Sequence, residues 1–349
     1  SAELFATASI ALLDSLNCVD YLCFGCETDS IDLLNTVAEI LINEPKEYKD
    51  LLTLNLKTGI SFPKARAKAL DEYFKKYNLD YSLDINSKKY AKYPSDITSN
   101  SNLDINTFIN QPNNILGIEY IKALMRFNSK INPVPLKRLG AGYHSLDTRT
   151  KLASATGIRT AMANKDNISG LLPDNCLNII KNHTTIEYND FSTVLGSKLL
   201  SMDTLDHIEG INQDLSNRIA NNKYNFTDIE TFMPMLQSKN YTYSAISRAL
   251  LHIILDIKTD GLKEFISNNY VNYAMILGFN KNTGVLSEIS KSTKIPLVSK
   301  FATFYKEADN NQRKMLDINL KADNLYRMIY MNKTSETLPT EFQRQIIIK

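Results

Sequence analysis

Hydroxyl side chains and an arginine lie together near the start of a predicted helix, and this combination suits a phosphate group. Ser154 and Thr156 open the helix, and Arg159 follows about one turn later. Free backbone N–H groups and the helix dipole both favour anions at a helix N-terminus. The same residues also suit an ordinary helix cap with an exposed arginine, and the segment taken alone favours that interpretation.

Two predicted strands end at residues suited to a ligand. The first strand ends at Gly25, and the second, residues 134–139, contains Arg138 just before a glycine-rich loop at 140–142. Ligands of open parallel sheets lie beyond the carboxyl ends of the strands, where glycine permits close approach and arginine can hold phosphate. A turn glycine explains Gly25 equally well, and a surface salt bridge is the ordinary alternative for Arg138.

A third candidate is the segment Pro112-Asn-Asn-Ile-Leu-Gly117. The Asn113 and Asn114 amides each donate and accept hydrogen bonds, so they can bind a nucleotide or hold a loop. Taken alone, they are better explained as caps of the helix that follows.

Other familiar chemistries have little support in the sequence. Cys23 and Cys26 have the spacing of a redox or zinc pair, but no second pair or nearby histidine accompanies them. The histidines are scattered along the chain, and we find neither a His-x-Gly-His segment nor a G-x-x-x-x-G-K-[ST] loop. We therefore predict no metal site.

Composition indicates a water-soluble protein with two domains. The chain has 349 residues and a net charge of +2, and no apolar run approaches the ~20 residues needed to span a bilayer. The four unevenly placed cysteines do not form a disulfide pattern, which favours the reducing cytoplasm. A charge this close to zero means that any site for nucleic acid is a local patch.

Periodicity predicts an α/β domain followed by a helical one. Helical spacing covers residues 1–16, 31–43 and 62–77, and the strands at 21–25 and 134–139 alternate with helices, which indicates a parallel sheet. Residues 77–106 are rich in polar side chains and predict an exposed insertion. From residue 167 onward helices dominate, notably at 243–257 and 309–331. We place the domain boundary between residues 166 and 167.

Basic and aromatic residues stand together in the helical half. Lys239, Tyr241, Tyr243 and Arg248 form a mixture suited to single-stranded RNA loops. A helix start with tyrosines in the core explains the same residues without RNA.

These segments occur jointly and in an order that resembles the tRNA(Met) cytidine acetate ligase family of nucleotidyltransferases. The resemblance covers nearly the whole chain and is weakest at residues 77–106. Its motifs are Ser1-Ala-Glu-Leu-Phe-Ala6, Phe24-Gly25, Gly59-Ile-Ser-Phe-Pro-Lys-Ala-Arg66, Pro112-Asn-Asn-Ile-Leu-Gly117, Arg138 with Gly142-Tyr-His144, Ala153-Ser-Ala-Thr-Gly-Ile-Arg159, Tyr241-Thr242 with Arg248 and His252, Leu277-Gly278-Phe279 and Ile295-Pro-Leu-Val-Ser-Lys300.

The resemblance implies a Rossmann-like nucleotidyltransferase domain with a parallel sheet and a mainly α-helical C-terminal domain that binds tRNA. It implies an enzyme that uses ATP, with Mg²⁺, to convert acetate to acetyl-adenylate and then acetylates N4 of the wobble cytidine of elongator tRNA(Met). Gly25, Asn113 and Arg138 match residues that contact ATP in the family, and residues 154–159 match its second phosphate motif. The resemblance does not identify the catalytic residues, which stay unknown.

Family members begin with a strand and an Asn-Pro-Phe-His-x-Gly-His segment, which this sequence does not contain. We therefore expect the Rossmann-like domain to be partial and to lack its N-terminal part, so that the chain alone is incomplete for catalysis. Two other functions stay open from the residues: a nucleotidyltransferase that adenylates another small acid, and a non-catalytic RNA-binding module.

Overall fold

The computed structural model describes residues 1–77, 79, 105–138, 153–238 and 241–349. The chain divides into two compact units, Ser1–Leu171 and Leu172–Lys349. This division lies close to the predicted boundary after residue 166. Most of the predicted insertion at 77–106, the glycine-rich loop at 140–142 and Lys239 fall outside the described residues.

The first unit combines helices with a parallel pair of strands. Its elements are α1 (Ala2–Leu16), β1 (Tyr21–Cys26), α2 (Ile31–Asn43), α3 (Lys46–Lys57), α4 (Phe62–Lys76), α5 (Ile105–Asn110), α6 (Pro112–Arg126), β2 (Asn132–Lys137) and α7 (Ala155–Ala163). The parallel pairing of β1 with β2 and the connecting helices confirm the predicted α/β class.

Two prolines lie within β2 without disturbing its pairing with β1. The Asn132 and Arg138 N–H groups donate to carbonyls of the β1 segment at 2.8 and 2.9 Å, so the even-numbered residues of β2 face β1. Pro133 and Pro135 have the opposite parity, so their missing N–H groups would have pointed away from β1. The pairing begins at Tyr21 and Asn132 and ends at Cys26 and Lys137.

Helix α6 packs closely against β1 and carries the candidate site at its first turn. A Cβ atom on Gly117 would lie 2.6 Å from a ring carbon of Phe24, so only glycine permits this approach of helix and strand. Below the strands, side chains of α2, α4 and α6 form the core, including Leu34, Leu70 and Ile118. Burial of these apolar groups holds the end of β1 and the start of α6 at a constant separation.

The second unit is mainly helical, with two short pairs of parallel strands. Its elements are α8 (Asp174–Lys181), α9 (Ser192–Ser201), α10 (Gln213–Asn222), α11 (Ile229–Leu236), α12 (Tyr243–Leu255), α13 (Thr259–Ser267), β3 (Ala274–Met275), β4 (Gly278–Phe279), α14 (Val285–Ser292), β5 (Leu297–Val298), α15 (Phe301–Glu307), α16 (Asn310–Thr334) and β6 (Ile347–Ile348). Its main core includes Leu195, Phe232 and Leu250. Across the described part of the chain, no helix has both the length and the apolar character to cross a bilayer.

Most predicted helices are confirmed, but α3 and the role of the two asparagines differ from the predictions. Helix α3 was not predicted, because charged residues interrupt its apolar spacing; it packs through Tyr48 and Asn55, both buried. Asn113 and Asn114 do not cap α6, because the helix starts at Pro112 and both lie inside its first turn.

Candidate nucleotide site

The ends of β1 and β2 bring Gly25 and Arg138 into contact. The Arg138 N–H donates to the Cys26 carbonyl at 2.9 Å, which extends the strand pairing by one residue. A Cβ atom on Gly25 would lie 3.5 Å from Arg138 Cγ and 3.9 Å from Cδ. The arginine stem therefore lies beside Gly25 at the strand end, within ordinary van der Waals distance of where a Cβ would stand. Arg138 is exposed and forms no ion pair with a described residue, so its guanidinium is available to an anionic ligand.

Glu27, two residues beyond Gly25, holds the first turn of α6. Its Oε2 accepts from the Asn114 N–H at 2.9 Å, and its Oε1 accepts from the Asn113 N–H at 3.4 Å. Oε1 also accepts from the Asn113 side-chain Nδ2 at 2.7 Å. Pro112 has no N–H group, so among the described residues the carboxylate takes up the first-turn donors of α6 that the helix itself leaves free.

Asn114 is fully buried, and its side chain links the start of α6 to the end of β1. We call this contact region the α6 junction. Its Oδ1 accepts from the backbone N–H groups of Glu27 and Thr28 at 3.0 and 3.1 Å. Its Nδ2 donates to the Phe108 carbonyl at 3.1 Å and to Gln111 Oε1 at 2.7 Å. The amide thus joins the end of β1 to the end of α5 and the start of α6.

Sequence reasoning missed Glu27 and the structural role of Asn114. The available signal was an acidic residue shortly after a strand-end glycine, but its partner lies 86–87 positions away. The sequence groups Asn113 with Asn114 as one candidate, but the structure gives the two residues different roles. Asn114 is committed to the fold, whereas Asn113 is half-buried and its Oδ1 has no hydrogen-bond partner in the described part of the chain.

The first turn of α7 carries the three remaining nucleotide candidates. Ser154 is buried and caps the helix, since its Oγ accepts from the Gly157 N–H at 2.9 Å. The backbone N–H groups of Ala155 and Thr156 have no acceptor among the described residues, and Arg159 is exposed. The predicted cap is confirmed, and free donors remain beside it, which is the arrangement that anions favour.

The Cys23 and Cys26 thiols do not form a paired site. Both are free, Cys23 is exposed and Cys26 is buried, as expected for opposite faces of a strand. Burial raises the pKa of Cys26 to about 11, and the nearby Asp29 and Glu27 add to the shift. The thiol is therefore neutral at physiological pH and unsuited to act as a nucleophile.

In the second unit, the RNA candidates fall into different environments. Tyr241 packs against the main core, and its hydroxyl donates to Asn212 Oδ1, which also accepts from the Leu215 N–H at the start of α10. Arg248 lies exposed on α12 and forms no ion pair with a described residue. The Tyr241 hydroxyl thus has a structural role, whereas Arg248 is available to a partner.

Comparison with known proteins defines the class first. The family model of the HIGH nucleotidyl transferases matches residues 1–341. A crystal structure of Thermotoga maritima TmcAL bound with alpha-thio ATP superposes with a TM-score of 0.82 at 25% identity, covering 100% of this chain and 81% of that one. The fold is therefore that of a nucleotidyl transferase.

Two curated relatives narrow the class to a family. The tRNA(Met) cytidine acetate ligase of Clostridium perfringens is 32% identical over 336 residues, which cover 94% of this chain and 76% of that protein. The enzyme of the same name from Clostridium acetobutylicum is 33% identical over 355 residues, covering 100% of this chain and 81% of that protein. The chain belongs to the tRNA(Met) cytidine acetate ligase family.

The comparisons confirm the family resemblance over nearly the whole chain, and they do not support the expectation that an N-terminal segment is missing.

Proposed function

We propose that this protein is an ATP-dependent acetate ligase that acetylates N4 of the wobble cytidine of elongator tRNA(Met). The observation that carries the proposal is the contact between Gly25 and Arg138 at the carboxyl ends of two parallel strands, with the first turn of α6 beside it. Family membership supplies the reaction that such a site would perform.

The proposed reaction has two steps. A carboxylate oxygen of acetate attacks the α-phosphorus of ATP, and pyrophosphate leaves with the electrons of the broken P–O bond. N4 of cytidine then attacks the acetyl carbonyl, AMP leaves, and the amine releases one proton. Both steps build negative charge on phosphate oxygens, which positive groups and free N–H donors stabilise.

We assign the phosphate-binding role to Arg138 and to the first turn of α7. Arg138 supplies a charged, forked donor beside Gly25, where the absence of a side chain permits close approach of a ligand to the backbone. Ala155 and Thr156 supply backbone N–H groups, and Ser154 orders them by capping the helix. Arg159, one turn along, adds a second positive charge to the same helix.

We propose that Mg²⁺ enters with the triphosphate. We do not assign Glu27 as its ligand, because its carboxylate is engaged by α6 through hydrogen bonds to both oxygens. In the described part of the chain, no cluster of three His, Cys, Asp or Glu side chains could hold a metal ion. The phosphate oxygens and water would therefore supply its ligands, as is common for Mg²⁺.

Labelled acetate tests the proposed reaction directly. The full-length protein, incubated with labelled acetate, ATP and tRNA(Met), should transfer the label to the tRNA and release pyrophosphate. The control replaces acetate and ATP by labelled acetyl-coenzyme A. Equal labelling of the tRNA from acetyl-coenzyme A without ATP would contradict the proposal.

We also propose that the helical unit binds the tRNA through a local surface that includes Tyr241 and Arg248; Lys239, the other residue predicted for RNA binding, lies outside the described residues. Arg248 is exposed on α12, near the start of the helix where Tyr243 is 54% exposed. A near-neutral chain needs such a patch, because its overall field attracts RNA only weakly.

Four free cysteines support a reducing, cytoplasmic location.

Salt dependence tests the contribution of Arg248. Each phosphate contact on single-stranded RNA changes the slope of log affinity against log salt by about 0.7. Arg248→Ala should therefore weaken tRNA binding and flatten the slope by about that amount, without changing ATP affinity. Arg218→Ala is a matched control, because Arg218 is ion-paired with Asp214 on α10. An unchanged slope together with lost thermal stability would make Arg248 a structural residue.

A further inference from the structure

The contact between Glu27 and Asn113 decides which end of the Asn113 amide faces a ligand. A carboxylate only accepts hydrogen bonds, so the group 2.7 Å from Glu27 Oε1 must be the Asn113 amino group. Asn113 Oδ1 then points elsewhere, and it has no partner among residues 1–77, 79, 105–138, 153–238 and 241–349. Glu27 therefore holds the Asn113 amino group on its own side and leaves Oδ1 as the acceptor that Asn113 offers to a ligand.

The same carboxylate makes the start of α6 unsuitable for phosphate. The Asn113 and Asn114 N–H groups that a phosphate would use already donate to Glu27. The negative charge of Glu27 also neutralises the positive end of the α6 dipole, and it would repel a second anion. An acceptor atom beside a carboxylate suits a neutral group that donates.

We propose that Glu27 is a positioning residue that orients bound ATP: it turns Asn113 Oδ1 toward a hydrogen-bond donor of the nucleoside and keeps the phosphates away from α6. The phosphates of ATP carry acceptors, whereas its donors are the 6-amino group of adenine and the ribose hydroxyls. The nucleoside thus lies over the start of α6, and the phosphates lie toward Arg138. This inference rests on the proposed nucleotide site and adds the direction in which ATP lies.

Three probes that compete with a fluorescent ATP analogue separate the two halves of the site. Adenosine reports the nucleoside half, inorganic tripolyphosphate reports the phosphate half, and ATP reports both. Binding to the wild-type protein is compared with Asn113→Ala, Glu27→Gln and Arg138→Ala. Glu39→Gln is the matched control, because it makes the same change at an exposed position on α2.

Asn113→Ala should lower the affinities for adenosine and for ATP by the same factor, about threefold to tenfold for one hydrogen bond. The affinity for tripolyphosphate should not change. Glu27→Gln should have the same pattern, because the glutamine amino group can turn the Asn113 amide around. Arg138→Ala should weaken tripolyphosphate and ATP but not adenosine.

Analogues identify the donor. Purine riboside lacks the 6-amino group, and 2′-deoxyadenosine and 3′-deoxyadenosine each lack one hydroxyl. The analogue without the relevant donor should bind the wild type about threefold to tenfold more weakly than adenosine, yet lose nothing further with Asn113→Ala.

Several results would overturn the proposal. If Glu27→Gln lowers the affinity for all three probes equally, Glu27 has only a general structural role. If it lowers the affinity for tripolyphosphate and leaves that for adenosine unchanged, the phosphates lie over α6. If the wild-type protein binds ATP but neither Asn113→Ala nor Glu27→Gln changes its affinity for adenosine, the proposed orientation of ATP is wrong while the nucleotide site stands. If the wild type binds none of the probes, the proposed nucleotide site is wrong as well.

Discussion

The first turns of α6 and α7 both carry polar residues that the sequence predicts for nucleotide binding, yet they offer opposite chemistry to a ligand. In α6, a carboxylate from the end of β1 takes up the Asn113 and Asn114 N–H groups. In α7, Ser154 caps only Gly157, and the Ala155 and Thr156 N–H groups have no acceptor in the described part of the chain. The comparison shows that a helix N-terminus favours anions only where the fold has not already supplied one.

The largest expected effect concerns the stability of the α6 junction. Asn114→Ala would leave the partly buried N–H groups of Glu27 and Thr28 without their acceptor and remove a fully buried amide. We expect a loss of about 3 kcal/mol or more in the free energy of unfolding of the first unit. Denaturation followed by circular dichroism measures it, with the exposed Asn110→Ala as the control. A loss below 1 kcal/mol would mean that the junction does not depend on this amide.

Nucleotide affinity tests which end of the site holds phosphate. Arg138→Ala should reduce ATP affinity by about tenfold to hundredfold, the value of a charge-assisted bond of about 1.5–3 kcal/mol. Lys137→Ala is the control, because Lys137 pairs with Cys26 on β1 and points to the opposite face of β2 from Arg138. Titration of ATP into both variants measures the difference. Equal affinities would return Arg138 to the surface salt-bridge interpretation.

The smallest effect concerns the cap of α7. Ser154→Ala removes the acceptor of the Gly157 N–H and should lower stability by about 1 kcal/mol. Ser9→Ala is the control, because its hydroxyl donates to a carbonyl inside α1 and caps nothing. Thermal denaturation compares the two. If Ser154→Ala lowered stability more than Asn114→Ala does, the start of α7 would contribute more to stability than the start of α6, contrary to the expected order.

Local patterns predicted the elements well where periodicity was strong. Helix α2 was predicted at residues 31–43 and forms at Ile31–Asn43. The long C-terminal helix was predicted at 309–331 and forms at Asn310–Thr334, with Asp309 as its cap. Such elements depend on side chains three or four positions apart, so a short window of sequence contains the necessary information. The low apolar content of α3 explains why the same method missed it.

The sequence by itself determined the α/β class of the first unit, the helical character of the second, and the residues Gly25, Arg138 and Ser154 as features of strand ends and a helix start. Only the tertiary structure decided that Glu27 closes the first turn of α6, that Asn114 belongs to the fold, and that Asn113 presents its oxygen. The physical reason is distance along the chain. Hydrogen bonds between positions 86–87 apart leave no periodic trace, and they exist only because the core brings β1 and α6 together.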